Sequence, residues 1–371
     1  MIIFRAVFGE LLSPFAMSAF VMSALLLLEK IYRLVTLVVE NRLRATELGL
    51  MLIYLLPQIF SITLPLAVVA AVSMTVIRQS LDSELICLRA SGRSLWNYAL
   101  PYFAFGVFAM AMTAAITLWI QPIAYSKFTD LQLDMIRYRA ETKIIPGEFN
   151  YDFGDKVIHV GGRVSSRELT DIFIADRALP PGSPVITAQT GIIDVDDAAR
   201  RVFFRLRDGQ MVILERDDTA LRTVDFSQMN YVLDFKPTTN AEINVIWGMS
   251  NAQLLQEWRE PGPDPVRRLR RFLELYYRIT TPVACLAFAI AALPMGIVDP
   301  RSGRAGSLLR SVFLVVAYYL VWVGFKDLAY TQNATPHVLW IPPLLIASYG
   351  LVRLWLINAD VASLWQLLRR A

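Results

Sequence analysis

The chain has 371 residues, of which 55% are hydrophobic and 18% are charged, and its mean hydropathy is +0.45. A soluble domain carries about 25% charged residues, and here the deficit lies in long uncharged stretches, whereas residues 126–278 carry a normal load. This uneven distribution predicts a membrane protein with a soluble insert. The net charge of +4, without a basic run interleaved with aromatics, argues against a nucleic-acid partner.

Six apolar stretches are long enough for a helix to cross the hydrocarbon core, which takes about 20 residues. Three of them precede residue 126 and three follow residue 278. The fifth is the shortest, and it suffices only if Arg310 extends toward the headgroups. The predicted spans are 11–28, 48–77, 95–121, 279–298, 305–325 and 338–356.

The loops between these spans predict that both chain termini lie in the cytoplasm. With the N-terminus inside, ten Arg residues lie on the inner side and five Lys or Arg residues lie in short outer loops, in agreement with the positive-inside rule. No cleavable signal pattern is visible, so the first span is expected to remain as an anchor. Residues 127–265 are then expected outside the membrane.

Residues 127–265 have the pattern of a β-rich domain. Short apolar runs recur about every ten residues, as expected for a β-sandwich or jelly roll. Asp208-Gly209 lies between two of these runs and predicts a hairpin turn. The Asp-Val-Asp-Asp sequence at 194–197 predicts a solvated hairpin tip. The predicted strands are 157–160, 171–175, 201–206, 211–214 and 231–235.

The predicted architecture is therefore a polytopic α-helical membrane protein with an inserted β-jelly-roll domain. Residues 1–126 hold spans one to three, residues 127–265 hold the β domain, and residues 266–371 hold spans four to six. The Pro-rich run 260–265 is expected to join the β domain to span four.

No catalytic signature is present in the sequence. It contains neither a G-x-x-x-x-G-K-[ST] phosphate loop nor a G-x-S-x-G elbow. The two cysteines, Cys87 and Cys285, are isolated, and the two histidines, His159 and His337, lack the spacing of metal ligands. We therefore predict no catalytic residue, no metal site and no cofactor.

The segment 80–93, between spans two and three, predicts a short amphipathic helix. Its leucines share one face, and both ends carry capping residues. Two interpretations stay open at this point. The helix either rests on the bilayer surface, or it docks on a cytoplasmic motor with Glu84 pairing a basic residue there. The leucines are Leu81, Leu85 and Leu88; the capping candidates are Ser80, Asp82 and Gly92; and Arg89 suits the last-turn dipole.

A second polar cluster lies at the outer end of span one. Lys30 and Arg33 follow the apolar run, with Arg42 and Arg44 beyond. The cluster either anchors the span at the interface or binds the anionic headgroup of a phosphorylated lipid. The outer loop holds more cations than the positive-inside rule predicts, and this excess favours the second interpretation.

Three spans, a β domain and three further spans, combined with four local motifs, resemble the LptF/LptG family of lipopolysaccharide export permeases. The resemblance covers nearly the whole chain, and two of the motifs look more like the LptF branch than the LptG branch. The motifs are Ile3-Phe4-Arg5, Glu29-Lys30 with Arg33, Ser83-Glu84-Leu85 followed by Arg89-Ala90-Ser91-Gly92, and Asp299-Pro300-Arg301-Ser302-Gly303-Arg304.

The resemblance implies a permease subunit of an ABC transporter in the bacterial inner membrane. Such a subunit extracts lipopolysaccharide and passes it through its periplasmic jelly roll to LptC and LptA. It pairs with an LptG-type permease and with two copies of the ATPase LptB, so this chain itself would not be an enzyme. An external energy source is expected, because extracting acyl chains moves apolar area out of the bilayer. The free-energy cost of exposing such area to water is about 25 cal/mol per Å².

The same resemblance implies the roles of particular residues. Glu84 would engage the ATPase from the coupling helix, together with Leu85, Leu88 and Arg89. Lys30 and Arg33 would face the lipid A phosphates. Side chains on the inner face of the jelly roll would shelter the acyl chains, and the candidates are Phe173, Val202, Phe204 and Ile213.

Two other functions remain open from the sequence. One is a permease of a different lipid or lipoprotein ABC exporter, although such exporters commonly place one large domain after the first span. The other is a membrane scaffold whose β domain only binds periplasmic partners. Co-purification of an ATPase would argue against the scaffold.

Overall fold

The structure is a computed structural model that describes residues 2–41, 45–92, 94–142, 146–153, 156–165, 168–176, 184–196, 201–214, 221–232, 246–259, 265–297, 305–331 and 335–368. The chain forms two compact units. One comprises Met1–Ser126 with Ile246–Ala371, and the other comprises Lys127–Val245. The second unit ends before the Pro-rich run at 260–265, because the residues after Val245 pack with the helical unit.

Six of the described helices are long and apolar enough to cross a membrane, which confirms the predicted number of spans. A π-helical turn, Ile116–Ile120, continues α4 into α5, and a 3-10 turn, Pro336–Trp340, precedes α9. The helices are α1 (Ile2–Asn41), α2 (Ala45–Leu81), α3 (Glu84–Ala90), α4 (Leu95–Ala115), α5 (Gln121–Thr142), α6 (Asn251–Arg259), α7 (Pro265–Gly296), α8 (Ala305–Thr331) and α9 (Ile341–Leu368).

The helix that contains predicted span four begins before that span. The sequence predicts the span at 279–298, whereas α7 starts at Pro265, and the stretch of α7 that is long and apolar enough to cross a membrane is Leu269–Gly296. Arg278 therefore lies within a continuous helix and not at its start. A helix can accommodate a charge at such a position when the charge is paired and hydrogen-bonded within the protein.

Helices α2 and α7 form the centre of the helical unit. In both, 72% of the apolar window is buried, against 17–28% in the other four spans. Small residues allow the helices to approach α7 closely. A Cβ on Gly106 would lie 2.7 Å from the Ala289 Cβ, and one on Gly350 would lie 2.6 Å from the Ala291 Cα.

The described strands of the second unit form one antiparallel sheet in sequential order, β1-β2-β3-β4-β5-β6. This confirms the predicted β domain and is consistent with a jelly roll. The strands predicted from the sequence do not include β1 or β4, and in β4 Thr and Gly residues interrupt the apolar alternation. The strands are β1 (Phe149–Phe153), β2 (Lys156–Arg163), β3 (Glu168–Asp176), β4 (Pro184–Asp196), β5 (Arg201–Leu214) and β6 (Leu221–Val232).

Asp208-Gly209 does not form the predicted hairpin. β5 runs continuously through both residues, and Asp208 has a φ of +50°. Asp and Gly both tolerate positive φ, so the same dipeptide can lie at an irregular position within a strand or in a turn between two strands. A Cβ on Gly209 would lie 2.2 Å from the Thr187 carbonyl oxygen, so only glycine fits this close approach between β5 and β4.

The irregularity at Asp208 is part of a row that crosses the sheet. Asp171 in β3 has a φ of +51°, and neither aspartate takes part in the regular pairing. The register between neighbouring strands is the same on both sides of this row. The buried face changes from even to odd positions across the row in β4, β5 and β6, and from odd to even in β3. Each strand therefore keeps its apolar side chains on one face of the sheet across the row. The buried members are Ile158, Val160, Leu169, Ile172, Ile174, Ile186, Ala188, Ile193, Phe204 and Leu206, with Met211, Phe226, Met229 and Tyr231 packed against them.

The predicted acidic hairpin tip at 194–197 was wrong for Asp194 and Asp196. Both lie within β4, opposite Phe203 and Arg201 of β5. The Asp194 carboxylate accepts a hydrogen bond from Arg205 on the neighbouring strand at 2.7 Å. Such cross-strand pairs of opposite charge stabilise an antiparallel sheet. Residue 197 lies outside the described part of the chain.

Candidate functional site

The predicted coupling helix is present as α3, but it is shorter than the segment 80–93. Helix α2 continues to Leu81, so Ser80 belongs to the span, and Asp82 and Ser83 form the link. The Ser83 carbonyl accepts the first hydrogen bond of α3 from the Cys87 amide, at 3.1 Å. Ser83, with a φ of +61°, thus begins the helix, and neither Ser80 nor Asp82 does so. Gly92, with a φ of +77°, follows the last turn as predicted.

One face of α3 is held by the core of the helical unit, and the opposite face is exposed. Leu85 is buried within that core, and Leu88 packs against it. Glu84 and Ile86 point away from the core; the side chain of Glu84 is 50% exposed and Ile86 is 54% exposed. Helix α3 therefore presents the Glu84 carboxylate and the Ile86 side chain on its exposed face, while its opposite face packs in the core. The side chain of Arg89 lies outside the described part of the structure.

Glu84 already faces a cation from its own chain. The Glu84 Oε1 atom lies 3.9 Å from the Arg78 Nη1 atom, at the end of α2. At this distance and exposure the pair contributes little to stability, within about 1 kcal/mol. Another cation could therefore replace Arg78 as the partner of Glu84 at little cost.

The second candidate site lies at the far end of the first span. Lys30 is half-buried on α1, two residues before the end of the apolar window at Tyr32. Arg33 follows three positions later on the same helix, which places both on one side of α1. The side chain of Arg33, the residues 42–44 and the loop 298–304 lie outside the described parts of the chain.

The four groove candidates of the β domain differ in their placement. Phe204 is fully buried in the core of the sheet, and Ile213 lies two positions from Met211 on that same face. Phe173 lies on the opposite face, where its ring meets Phe149 edge-on at 6.4 Å between centroids. Val202 pairs with Val195 in the ladder, and its side chain is not described.

Arg278 on α7 is a buried cation for which the sequence predicted no role beyond bounding span four. Arg278 is fully buried, and its Nε atom donates to the Glu274 carboxylate at 3.1 Å, one turn earlier. The other two guanidinium nitrogens donate to residues 246–251, the segment that leads into α6. Each of the three nitrogens therefore has a hydrogen-bond acceptor. The further acceptors are the Asn251 Oδ1 atom at 2.8 Å and the carbonyl oxygens of Ile246 at 3.4 Å, Trp247 at 3.0 Å and Met249 at 2.9 Å.

The same cluster also contacts the π-helical turn of span three. Asn251 Nδ2 donates to the Leu118 carbonyl at 2.7 Å, and Thr117 Oγ1 donates to the Arg278 carbonyl at 2.9 Å. A π-helical turn leaves backbone carbonyls that need other donors. The network therefore connects span three, span four and residues 246–251. A signal for it existed in the sequence, because Glu274 and Arg278 have opposite charges at the i,i+4 spacing beside an apolar run.

Comparison with known proteins identifies the chain at the family level. The sequence model described as "Lipopolysaccharide export system permease LptF/LptG" matches residues 5–356. The chain belongs to the LptF/LptG family. Two similar relatives are the lipopolysaccharide export system permease proteins LptF of Escherichia coli (strain K12) and Shigella flexneri. Each is 21% identical over 366 residues, which cover 96% of this chain and 95% of the relative.

Membership of the LptF/LptG family makes this chain a lipopolysaccharide export permease, a transport protein with several membrane spans. The match extends over both halves of the helical unit and the β domain between them. The resemblance inferred from the local motifs is thereby confirmed.

Replacing Arg278 by Leu is expected to destabilise this permease strongly. The substitution leaves the Glu274 carboxylate and several buried carbonyl oxygens without their donor, and breaking a buried ion pair in this way costs about 3–5 kcal/mol. We expect a clearly lower midpoint of thermal unfolding and reduced abundance in membranes. Arg310→Leu is the matched control, because its exposed guanidinium donates to the Gly306 carbonyl of its own helix. Equal melting midpoints for the two variants would contradict the structural role of Arg278.

Proposed function

We propose that this chain extracts lipopolysaccharide from the inner membrane by using ATP hydrolysis in a separate subunit. The observation that carries the proposal is the geometry of α3. Its Leu85 face is fixed in the core of the spans, while Glu84 and Ile86 face outward. A partner that binds the outward face can therefore move the spans to which the inner face is attached. The missing phosphate loop in the sequence agrees with an ATP site on that partner.

The resemblance to the family supports the partners that we propose. They are two copies of the ATPase LptB, an LptG-type permease, and the acceptors LptC and LptA. In this assembly α3 lies in the cytoplasm, and residues 127–245 lie in the periplasm and receive the lipid. Phe204 and Ile213 are on the apolar face of that sheet. Acyl chains entering there would exchange one set of apolar contacts for another, which keeps their transfer free energy small.

Cysteine labelling tests the proposed orientation. In a background without Cys87 and Cys285, Val164→Cys places a thiol at a position of the β unit that is 68% exposed. Gly306→Cys places one at the exposed start of α8. A membrane-impermeant maleimide is expected to label the Val164→Cys chain in intact spheroplasts and the Gly306→Cys chain only after permeabilisation. The reverse pattern would overturn the periplasmic placement of the β unit.

Glu84→Ala is expected to weaken the association with LptB. A charge-assisted hydrogen bond contributes about 1.5–3 kcal/mol, so the dissociation constant should rise by about tenfold or more. Chain abundance should stay normal, because the side chain of Glu84 is half exposed and its contact with Arg78 is long. Asp82→Ala is the control, since Asp82 also faces Arg78 but precedes α3. Undiminished co-purification of LptB with Glu84→Ala would reject the coupling role.

Replacing both Lys30 and Arg33 by Glu is expected to reduce crosslinking of lipopolysaccharide to span one. Charges at the edge of a low-dielectric bilayer interact more strongly than in water, so reversal of two charges should repel the lipid A phosphates. Association with LptB should be unaffected. The control is Arg353→Glu, an exposed cation on α9. If crosslinking persists unchanged in the double variant, these residues are interfacial anchors and not phosphate ligands.

A further inference from the structure

A cluster of charged side chains joins α3 to the first span through Arg78. The Arg78 guanidinium contacts the Glu10 carboxylate on α1, Asp82 at 3.5 Å in the link and Glu84 at 3.9 Å on α3. A guanidinium has five donors in a fixed planar arrangement, so it can hold several carboxylates at once. Arg78 is thus the direct connection between the proposed ATPase-binding carboxylate and α1.

The contacts of Arg78 are unequal in strength. Its closest partner is Glu10, and the distances to Asp82 and Glu84 are longer. Ion pairs shorten and strengthen when they form charge-assisted hydrogen bonds. Arg78 is therefore anchored on α1, and its contact with the α3 side is the one that can change.

Glu10 is itself held in place by a buried amide. Gln79, which is 2% exposed, donates from Nε2 to the Glu10 carboxylate at 2.9 Å. The Gln79 Oε1 atom accepts hydrogen bonds from the hydroxyls of Tyr98 and Tyr102 on α4, both at 2.6 Å. These bonds fix the orientation of the amide. Consequently Glu10 is a well-positioned carboxylate at the start of span one and not a mobile surface side chain.

The surroundings of the pair leave room for movement. A cavity of about 660 Å³ borders Glu10 and Arg78 between α1, α2 and α8, and its other walls include Pro14, Met74 and Leu308. Interiors are otherwise packed so closely that a shift of a charged side chain would meet its neighbours. Arg78 can therefore follow a displaced Glu84 without repacking the core.

We propose that Glu10 and Arg78 are positioning residues that transmit a displacement of α3 to the first span. This rests on the proposed function, in which an ATPase subunit binds Glu84. When the partner subunit displaces Glu84, Arg78 transmits this displacement to Glu10 and therefore to α1. Helix α1 also carries Lys30, about twenty residues beyond Glu10. The connection through Arg78 therefore links the proposed ATPase-binding residue to the proposed phosphate-binding residue.

The proposal predicts a separation between ATPase binding and transport. Without Arg78, Glu84 loses a competing cation, so LptB should co-purify with the Arg78→Ala chain at least as well as with the unsubstituted chain. Without either Glu10 or Arg78, movement of α3 should no longer reach α1. Coupling between two sites commonly amounts to a factor of about 5–150, so release of lipopolysaccharide should slow by about tenfold while ATP hydrolysis continues.

The test uses the complete complex in proteoliposomes and measures ATP-dependent release of lipopolysaccharide to LptA, ATP hydrolysis and LptB co-purification. The variants are Glu10→Ala, Arg78→Ala, the double variant, and Asp82→Ala as the matched control. Asp82 contacts the same guanidinium but does not connect it to α1. We expect release to fall by about tenfold in both single variants and by less than twofold in the control. The double variant should be no slower than Arg78→Ala, because residues that act through one another are non-additive.

Several outcomes would overturn the proposal. These are normal release by Glu10→Ala, equal effects of Glu10→Ala and Asp82→Ala, or multiplicative effects in the double variant. Loss of the folded complex is recognised separately by the melting midpoint and by LptB co-purification. If the unsubstituted chain neither retains LptB nor releases lipopolysaccharide, the proposed function itself fails, and the inference fails with it. If only Glu84→Ala abolishes LptB binding while Glu10→Ala releases normally, the function stands and the inference alone is wrong.

Discussion

A polar group inside a bilayer must find its partner within the protein, because no water is available to replace a missing hydrogen bond. The same constraint applies to a fully buried charge such as that of Arg278. The two most buried spans, α2 and α7, each carry an arginine that gathers acceptors from other parts of the chain. Arg278 does so with full burial, whereas Arg78 remains half exposed at the end of its helix. Arg278 is therefore held in place, whereas Arg78 makes contacts that can exchange partners.

The difference between the two arginines follows from their surroundings. Arg278 is hydrogen-bonded through all three guanidinium nitrogens, including backbone carbonyls that cannot move away without unwinding their segment. Arg78 faces carboxylates on side chains of three separate elements, at increasing distances. The Asp82 and Glu84 carboxylates lie farther from Arg78 and can exchange partners at small cost, because an exposed pair contributes little to stability. The proposed function requires both kinds of site, because rigid spans would have to respond to an ATPase subunit outside the membrane.

The β unit keeps one apolar face although its strands are irregular part-way along. The positive-φ positions at Asp171 and Asp208 lie in a row that crosses the sheet, and the buried side chains change parity across this row. Buried apolar residues therefore lie on the same face of the sheet on both sides of the row. In the proposed function, acyl chains would meet this apolar face.

The sequence by itself determined the six spans, the β unit between the third and fourth, the short helix after span two and the family. Each of these depends on local composition or periodicity, which neighbouring residues set: uncharged runs for the spans, leucine spacing for α3, apolar runs for the strands. It did not determine the partners of Arg78 and Arg278, the irregularity at Asp208-Gly209 within β5, or the side of the sheet on which Phe173 lies. A charged residue ends an apolar run whether or not its helix continues, and Asp-Gly is compatible with a turn and with an irregular position inside a strand. Only the tertiary structure decided these points, because each depends on residues distant in sequence, such as Glu10 for Arg78 and Asn251 for Arg278.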